Sequence, residues 1–164
     1  DCLLSRGLGD VYKRQVYEQL HEIAIRLAAS ISYYFLNTGV PTRMICNGSD
    51  CITDQVAVIP TGSGLRHVNA IAEVLARIDL TRTVVSCTDQ LHELTNKMAN
   101  STSAPLYIMI SNSMSNSLQD AFEQLIKTGS SAMWIAPLYE DMELRVRKIP
   151  NMDIIRWEVN KYEN

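Results

Sequence analysis

Leu106-Tyr-Ile-Met-Ile110 is an unbroken apolar run, and the segment after it, Ser111 to Ser117, is polar. Five apolar residues in a row show no in–out alternation. Such a strand is covered on both faces, as in the interior of a parallel sheet. Ala132-Met-Trp-Ile-Ala136 has the same character and is expected to end at Pro137. Between the two runs, Leu118 to Lys127 predicts a helix stopped by Gly129. Buried strand, helix, buried strand is the repeating unit of an α/β fold.

The rest of the chain extends that pattern. Val16, Leu20, Ile23, Ala24, Leu27, Ala28, Ile31, Tyr34 and Phe35 form a helical stripe, widened by Ile25, Tyr33 and Leu36. This predicts a helix over 16–37, with Gly39 as its left-handed cap and Pro41 preventing continuation. Strands are expected over 42–46 and 55–59, joined by a turn at Asn47-Gly-Ser-Asp50. Pro60-Thr-Gly-Ser-Gly64 breaks the chain before a helix over 65–78. A weaker helix through Leu91, Leu94 and Met98 is capped by Ser86 or Thr88. A last strand is expected over 154–159. Trp134 and Trp157, both in strands, read as core.

The opening residues stand apart. Ser5-Arg-Gly-Leu-Gly-Asp-Val-Tyr-Lys-Arg-Gln15 resembles the in-frame translation of a transposase-type sequencing adapter, and Asp10 to Gln15 matches the commonest form of that scar. Residues 1–15 are therefore expected to be artefact, and 16–164 the native portion. Without the first fifteen residues, Lys+Arg falls from 15 to 12 and Asp+Glu from 18 to 16, so the net charge moves from −3 to −4. A mildly acidic domain with no basic run argues against non-specific nucleic-acid binding. Cys46, Cys51 and Cys87 remain, an odd count for a disulfide framework, although Cys46 and Cys51 could meet across the expected hairpin.

Two blocks carry a family resemblance. One is Ile23 to Leu36 with the Gly39-Val-Pro41 link and the strand ending at Asn47-Gly48; the other is Pro60 to Asp79. Together they resemble the C-terminal half of the bacterial domain of unknown function 58 family, and the order of later elements agrees over 16–159. The resemblance implies a von Willebrand factor A-like domain, a doubly wound, Rossmann-like α/β sheet, here truncated and lacking its first central strand. It implies a membrane-anchored parent protein, with transmembrane helices ahead of a cytoplasmic domain, and a MoxR-type AAA+ ATPase as partner. No reaction is assigned to the family, so the expected role is a non-enzymatic adaptor with no resident cofactor.

Candidate site residues lie in two loops. Thr61 and Ser63 sit where A-like domains place a metal-binding threonine; their plain reading is a helix cap with turn glycines. Ser111 and Asn112 follow the Leu106–Ile110 strand, outside whose carboxyl end ligands of doubly wound sheets bind; their plain reading is a capping loop. A-like domains with a full metal site carry an aspartate there, so a divalent cation is expected only if the absent N-terminal loop supplies carboxylates. Pro60–Gly64 lacks the lysine of a P-loop, yet a flavodoxin-like domain holding a phosphate at Thr61–Gly64 stays open, as does a purely structural envelope role. His21, His67, His92 and Cys87 read as structural, and Glu140-Asp-Met-Glu143 as a solvated loop. A missing central strand would leave unpaired edges in the core. The polypeptide as written is therefore expected to melt broadly or aggregate; a sharp cooperative melt followed by circular dichroism would refute this.

Overall fold

The computed structural model describes residues 2–129 and 131–161, with side chains over 18–82, 84–129 and 131–161. Its elements run α1 (Cys2–Asn37), β1 (Thr42–Asp50), β2 (Val56–Gly62), α2 (Leu65–Leu75), β3 (Ile78–Thr83), α3 (Cys87–Met98), β4 (Leu106–Ile110), α4 (Asn116–Ile126), β5 (Ser131–Tyr139) and β6 (Met152–Val159). The class is α/β. Among the described residues the strands form two sheets of three, an antiparallel β2-β1-β3 and a parallel β4-β5-β6, rather than one continuous doubly wound sheet. β3, which sequence reasoning missed, pairs with Gly48 to Asp50 along the free edge of β1.

Helix α1 touches both sheets. Its backbone is helical from Cys2, well before the expected start at Val16. Leu, Lys, Arg and Gln in that stretch are good helix formers and no proline interrupts them. The adapter reading of 1–15 rests on side chains outside those described. Further on, Leu20 packs with Ile23 against Tyr139 and Val159 of the parallel sheet. Ile25, Ala28, Ala29 and Leu36 pack with Met44, Ile59, Ile71 and Leu75 around the antiparallel sheet. The helix thus buries two different faces along its length. That is why the single stripe fails at its end, where Tyr33 and Tyr34 are exposed. Gly39 takes the expected left-handed conformation, at φ 80°.

The antiparallel sheet departs from expectation at its turn. Asn47 to Asp50 is not a turn but the last part of β1, and the chain reverses over Cys51 to Asp54. The cause is Asp50. Its Oδ1 accepts the backbone N–H groups of Ile52 at 2.9 Å and Thr53 at 3.3 Å, an Asx turn. Arg77 Nε donates to Oδ2 at 3.1 Å. Gly48 serves a close approach instead: a Cβ there would lie 2.9 Å from side-chain atoms of Ile78 and Leu80. β2 likewise runs through Pro60 to Gly62, because Pro60 sits on an edge strand beside a register shift.

The larger core lies against the parallel sheet. Phe122 and Trp134 meet edge to face, with ring centroids 5.6 Å apart, among Leu118, Leu125, Ala132, Leu138 and Met152. α4 begins at Asn116 with Ser115 as its cap, slightly ahead of the expected Leu118. β5 continues past Pro137, which sequence reasoning took as its end. Hydrogen-bond alternation explains how. Ala132 N–H donates to the carbonyl of Asn151, just before β6, and Ile135 O accepts from Ser111 N–H just past the end of β4. Even residues of β5 therefore bond to β6 and odd ones toward β4. Pro137 would have donated to Ser111 O, just beyond the end of β4. The Trp134 indole N–H takes that carbonyl instead, at 3.1 Å. Trp157 lies on the edge strand β6 and is 46% exposed, so it is not core as expected.

This substitution of one donor for another is testable. Trp134→Phe leaves Ser111 O without its buried donor and should lower stability by about 1–3 kcal/mol for the unsatisfied carbonyl alone. Pro137→Ala restores a backbone N–H aimed at the same oxygen. In a urea-denaturation double-mutant cycle the second change should recover part of the first loss, whereas simple additivity would refute the shared acceptor.

Candidate functional site

The two sheets meet at a cavity of about 250 Å³. Three pieces of backbone surround it. Met109, Ile110 and Ser111 come from the end of β4, Cys87 and Thr88 from the first turn of α3, and Ser113, Ser115 and Leu118 from the entry to α4. Asn47 of β1 completes the wall. Sequence directs each piece there. The apolar β4 pairs in parallel with β5 and stops opposite Ile135. Ser111 Oγ then accepts Ser113 N–H at 3.1 Å, turning the loop back. Ser115 and Ser86 cap α4 and α3, accepting from Leu118 N–H at 3.4 Å and Asp89 N–H at 3.1 Å. On β1, four residue steps from Ile45 to Ser49 oppose only two on β2, from Val58 to Val56. The resulting bulge at Cys46–Gly48 lies where Asn47 reaches the cavity.

Gln119 braces the site from below. It is 1% exposed, yet fully bonded. Its Nε2 donates to Met114 O at 2.8 Å and Arg145 O at 3.3 Å, while Oε1 accepts Arg147 N–H at 2.7 Å. The buried amide thus ties the 145–147 segment to the loop before α4.

The lining carries no formal charge and mixes polar side chains with the apolar Met109, Ile110 and Leu118. Its hydrogen-bonding side chains are the hydroxyls of Thr88, Ser111, Ser113 and Ser115 and the amide of Asn47. Cys87 is the one ionisable group among the lining residues, and burial, helped by the neighbouring Cys46, pushes its thiol up to about 11. Burial also raises the Cys46 thiol, against a hydrogen bond from Gly48 N–H at 3.4 Å. Donors therefore outnumber charges, and the first turns of two helices open on the space. Such a site favours an acidic or strongly accepting group.

Of the four residues expected to form a ligand edge, Ser111 lines the cavity. Asn112 is half-buried in the same loop but outside the lining, and Thr61 and Ser63 are exposed on the other sheet. β2 runs antiparallel to β1, so its Gly62 end pairs with Thr42. That is five residues from Asn47, about 16 Å along an extended strand. The two loops thus stand at different ends of β1. Ser113, in the same candidate loop, also lines the cavity. Asn47, Thr88 and Ser115 were missed, although the serines at helix starts were the visible signal.

The histidines have other places. His67 Nε2 lies 2.7 Å from Thr42 O and holds the start of α2 to β1. His21 is pushed down by burial, partly offset by Asp79 and Glu18. His92 is exposed. Asp141 pairs with Lys161 at 2.6 Å and Glu143 with Arg145 at 2.9 Å, both at the surface. Among the described residues no cluster of three or more His, Cys, Asp or Glu is arranged to hold a metal ion. No helix there is long and apolar enough to cross a membrane. Family models, curated proteins and solved structures return no match to this chain.

The thiols give a direct check on the cavity. Cys51 is exposed, whereas Cys46 and Cys87 are half-buried. A thiol far below its pKa gains about tenfold in thiolate per pH unit. Labelling with a chromogenic disulfide should show Cys51 reacting fast at pH 7.5 and Cys87 at least tenfold slower, with the gap closing toward pH 10. Equal rates at pH 7.5 would contradict the burial described.

Proposed function

We propose that this chain is a non-enzymatic interaction module of von Willebrand factor A-like, Rossmann-type layout. Its parent would be a membrane-anchored bacterial protein that presents the domain to the cytoplasm and works with a MoxR-type AAA+ ATPase. The observation that supports this reading best is the uncharged, hydroxyl-lined cavity at the carboxyl end of β4, framed by the first turns of α3 and α4. Its lining lacks a carboxylate or imidazole for acid–base chemistry, and the Cys87 thiol stays protonated at neutral pH. What remains is a set of donors suited to hold an acidic side chain or a chain carboxylate of a partner. No carboxylate lines the cavity, so a divalent cation would need carboxylate ligands from outside that lining.

A second reading, a small phosphate-binding domain, draws on the same helix starts. The volume, about 250 Å³, is below the roughly 300–1,000 Å³ usual for small-molecule and cofactor sites. It suits inorganic phosphate or a phosphoryl group better than a flavin or a whole nucleotide. The Thr61–Gly64 loop is less suited, because Thr61, Ser63 and Gly64 are exposed and an anion there would stay hydrated.

Thr88→Asp separates recognition from folding. A carboxylate in the first turn of α3 is favourable to the helix, but it places like charge where an acidic partner group would bind. In affinity purification of the full-length parent protein with its neighbouring ATPase, the natural sequence should capture the ATPase. Thr88→Asp should reduce capture at least tenfold with the melting temperature unchanged or raised. Failure of the natural sequence to capture it would overturn the adaptor reading. A melting shift with millimolar inorganic phosphate but not with flavin mononucleotide would favour the second.

A further inference from the structure

The hairpin disulfide considered from sequence, Cys46 with Cys51, is ruled out by the way β1 runs. Cys46 and Cys51 are free. β1 extends to Asp50, so Cys51 lies beyond its end, five residues from Cys46 and about 16 Å away along the chain. The neighbour of Cys46 is a different cysteine. Cys87 is the first residue of α3, and it lines the cavity beside Asn47, the residue after Cys46. Gln90 stands one turn on from Cys87 and shares its helix face. Its Nε2 donates to Cys46 O at 3.3 Å, which holds the Cys46 backbone against that first turn. Cys46 also falls within the β1 bulge at Cys46–Gly48.

The geometry points to Cys46 and Cys87 as a redox pair that closes into a disulfide, joining the antiparallel sheet to the helix that packs on the parallel one. Each thiol is perturbed by burial, and the charge of Cys46 bears on Cys87, as expected of close neighbours. A low-molecular-weight disulfide such as oxidised glutathione is the oxidant. The Cys87 thiolate attacks one of its sulfurs, forming a mixed disulfide and releasing one thiolate, which takes up the Cys87 proton. The Cys46 thiolate then displaces the second thiol, which leaves with the Cys46 proton. The protein loses two hydrogens and two electrons, and the oxidant is reduced to two thiols. Because burial raises both groups, the step is slow at neutral pH and quickens as pH rises. The product would tie the strand that carries Asn47 to the cavity-lining Cys87 and so fix these two parts of the wall relative to one another.

The test uses the full chain and its Cys51→Ser and Cys46→Ser variants. The first is needed because no Lys or Arg separates Cys46 from Cys51, so trypsin leaves both in one peptide. Each protein is incubated with oxidised glutathione at pH 8.5, alkylated, digested and analysed by mass spectrometry. Cys51→Ser should yield the Cys46–Cys87 linked peptide as its main internal disulfide, and Cys46→Ser should not. The linked form should melt at a higher temperature, and dithiothreitol should reverse the rise. In 6 M guanidinium chloride the preference should vanish. Mixed disulfides alone, links through Cys2 or Cys51, or the same product distribution with and without denaturant would each overturn the proposal.

Discussion

No hydrogen-bonded strand pair joins the two sheets among the described residues, so their relative placement depends on α1. Leu20 sits in the core of the parallel sheet and Leu36 in that of the antiparallel sheet, each less than a tenth exposed. A sheet transmits order through its ladder; here a helix must do so through side-chain packing alone. Packing of this kind is strong but not directional. The position of the seam is therefore set by which face α1 turns to each sheet, and by smaller ties such as Gln90 to Cys46.

The seam is also where polar groups gather. A strand ends there, two helices begin there, and a bulge delivers a fourth wall. Each of these features leaves backbone groups that regular structure does not satisfy. The chain meets that demand with short side chains: Ser86, Ser111 and Ser115 accept backbone N–H groups, and Trp134 donates to Ser111 O. A cavity lined by hydroxyls follows from the need to finish these elements. The same hydroxyls can serve a ligand because a hydroxyl both donates and accepts.

Elements with strong periodicity or unbroken apolar runs were legible in the sequence. β4, β5, α4 and the Gly39 cap fall close to where their residues predict them. The failures have physical causes. Asn47-Gly48-Ser49-Asp50 has turn composition, yet only Asp50 acts in the turn, while Gly48 makes room for Ile78 and Leu80 of the neighbouring β3. β3 carries apolar Ile78 and Leu80 against polar Asp79 and Thr81, a short alternation hidden because Ile78 also fitted the period of α2. Pro137 looked like a stop because a proline removes one donor, and its harmlessness depends on which neighbour that donor would have faced. Ser111 was legible as part of the cavity because it ends a buried strand. Asn47, Thr88 and Cys87 were not, since their meeting depends on a bulge and on contacts across sheets that no local pattern encodes.

Pro137 has a consequence for how this sheet can change over time. β4 ends at Ile110, and the next amide its partner could offer is absent. A β4 that ran on past Ser111 would lack one ladder bond at Pro137, although the Pro137 carbonyl and the Tyr139 N–H face the same side. The end of β4 thus coincides with the one missing donor in β5. Insertions between Ser111 and Ser115 would fall outside the ladder and would be absorbed without shifting its register. The rim of the cavity is in that sense insulated from the sheet that supports it, free to vary in reach and chemistry while the strands beneath stay fixed.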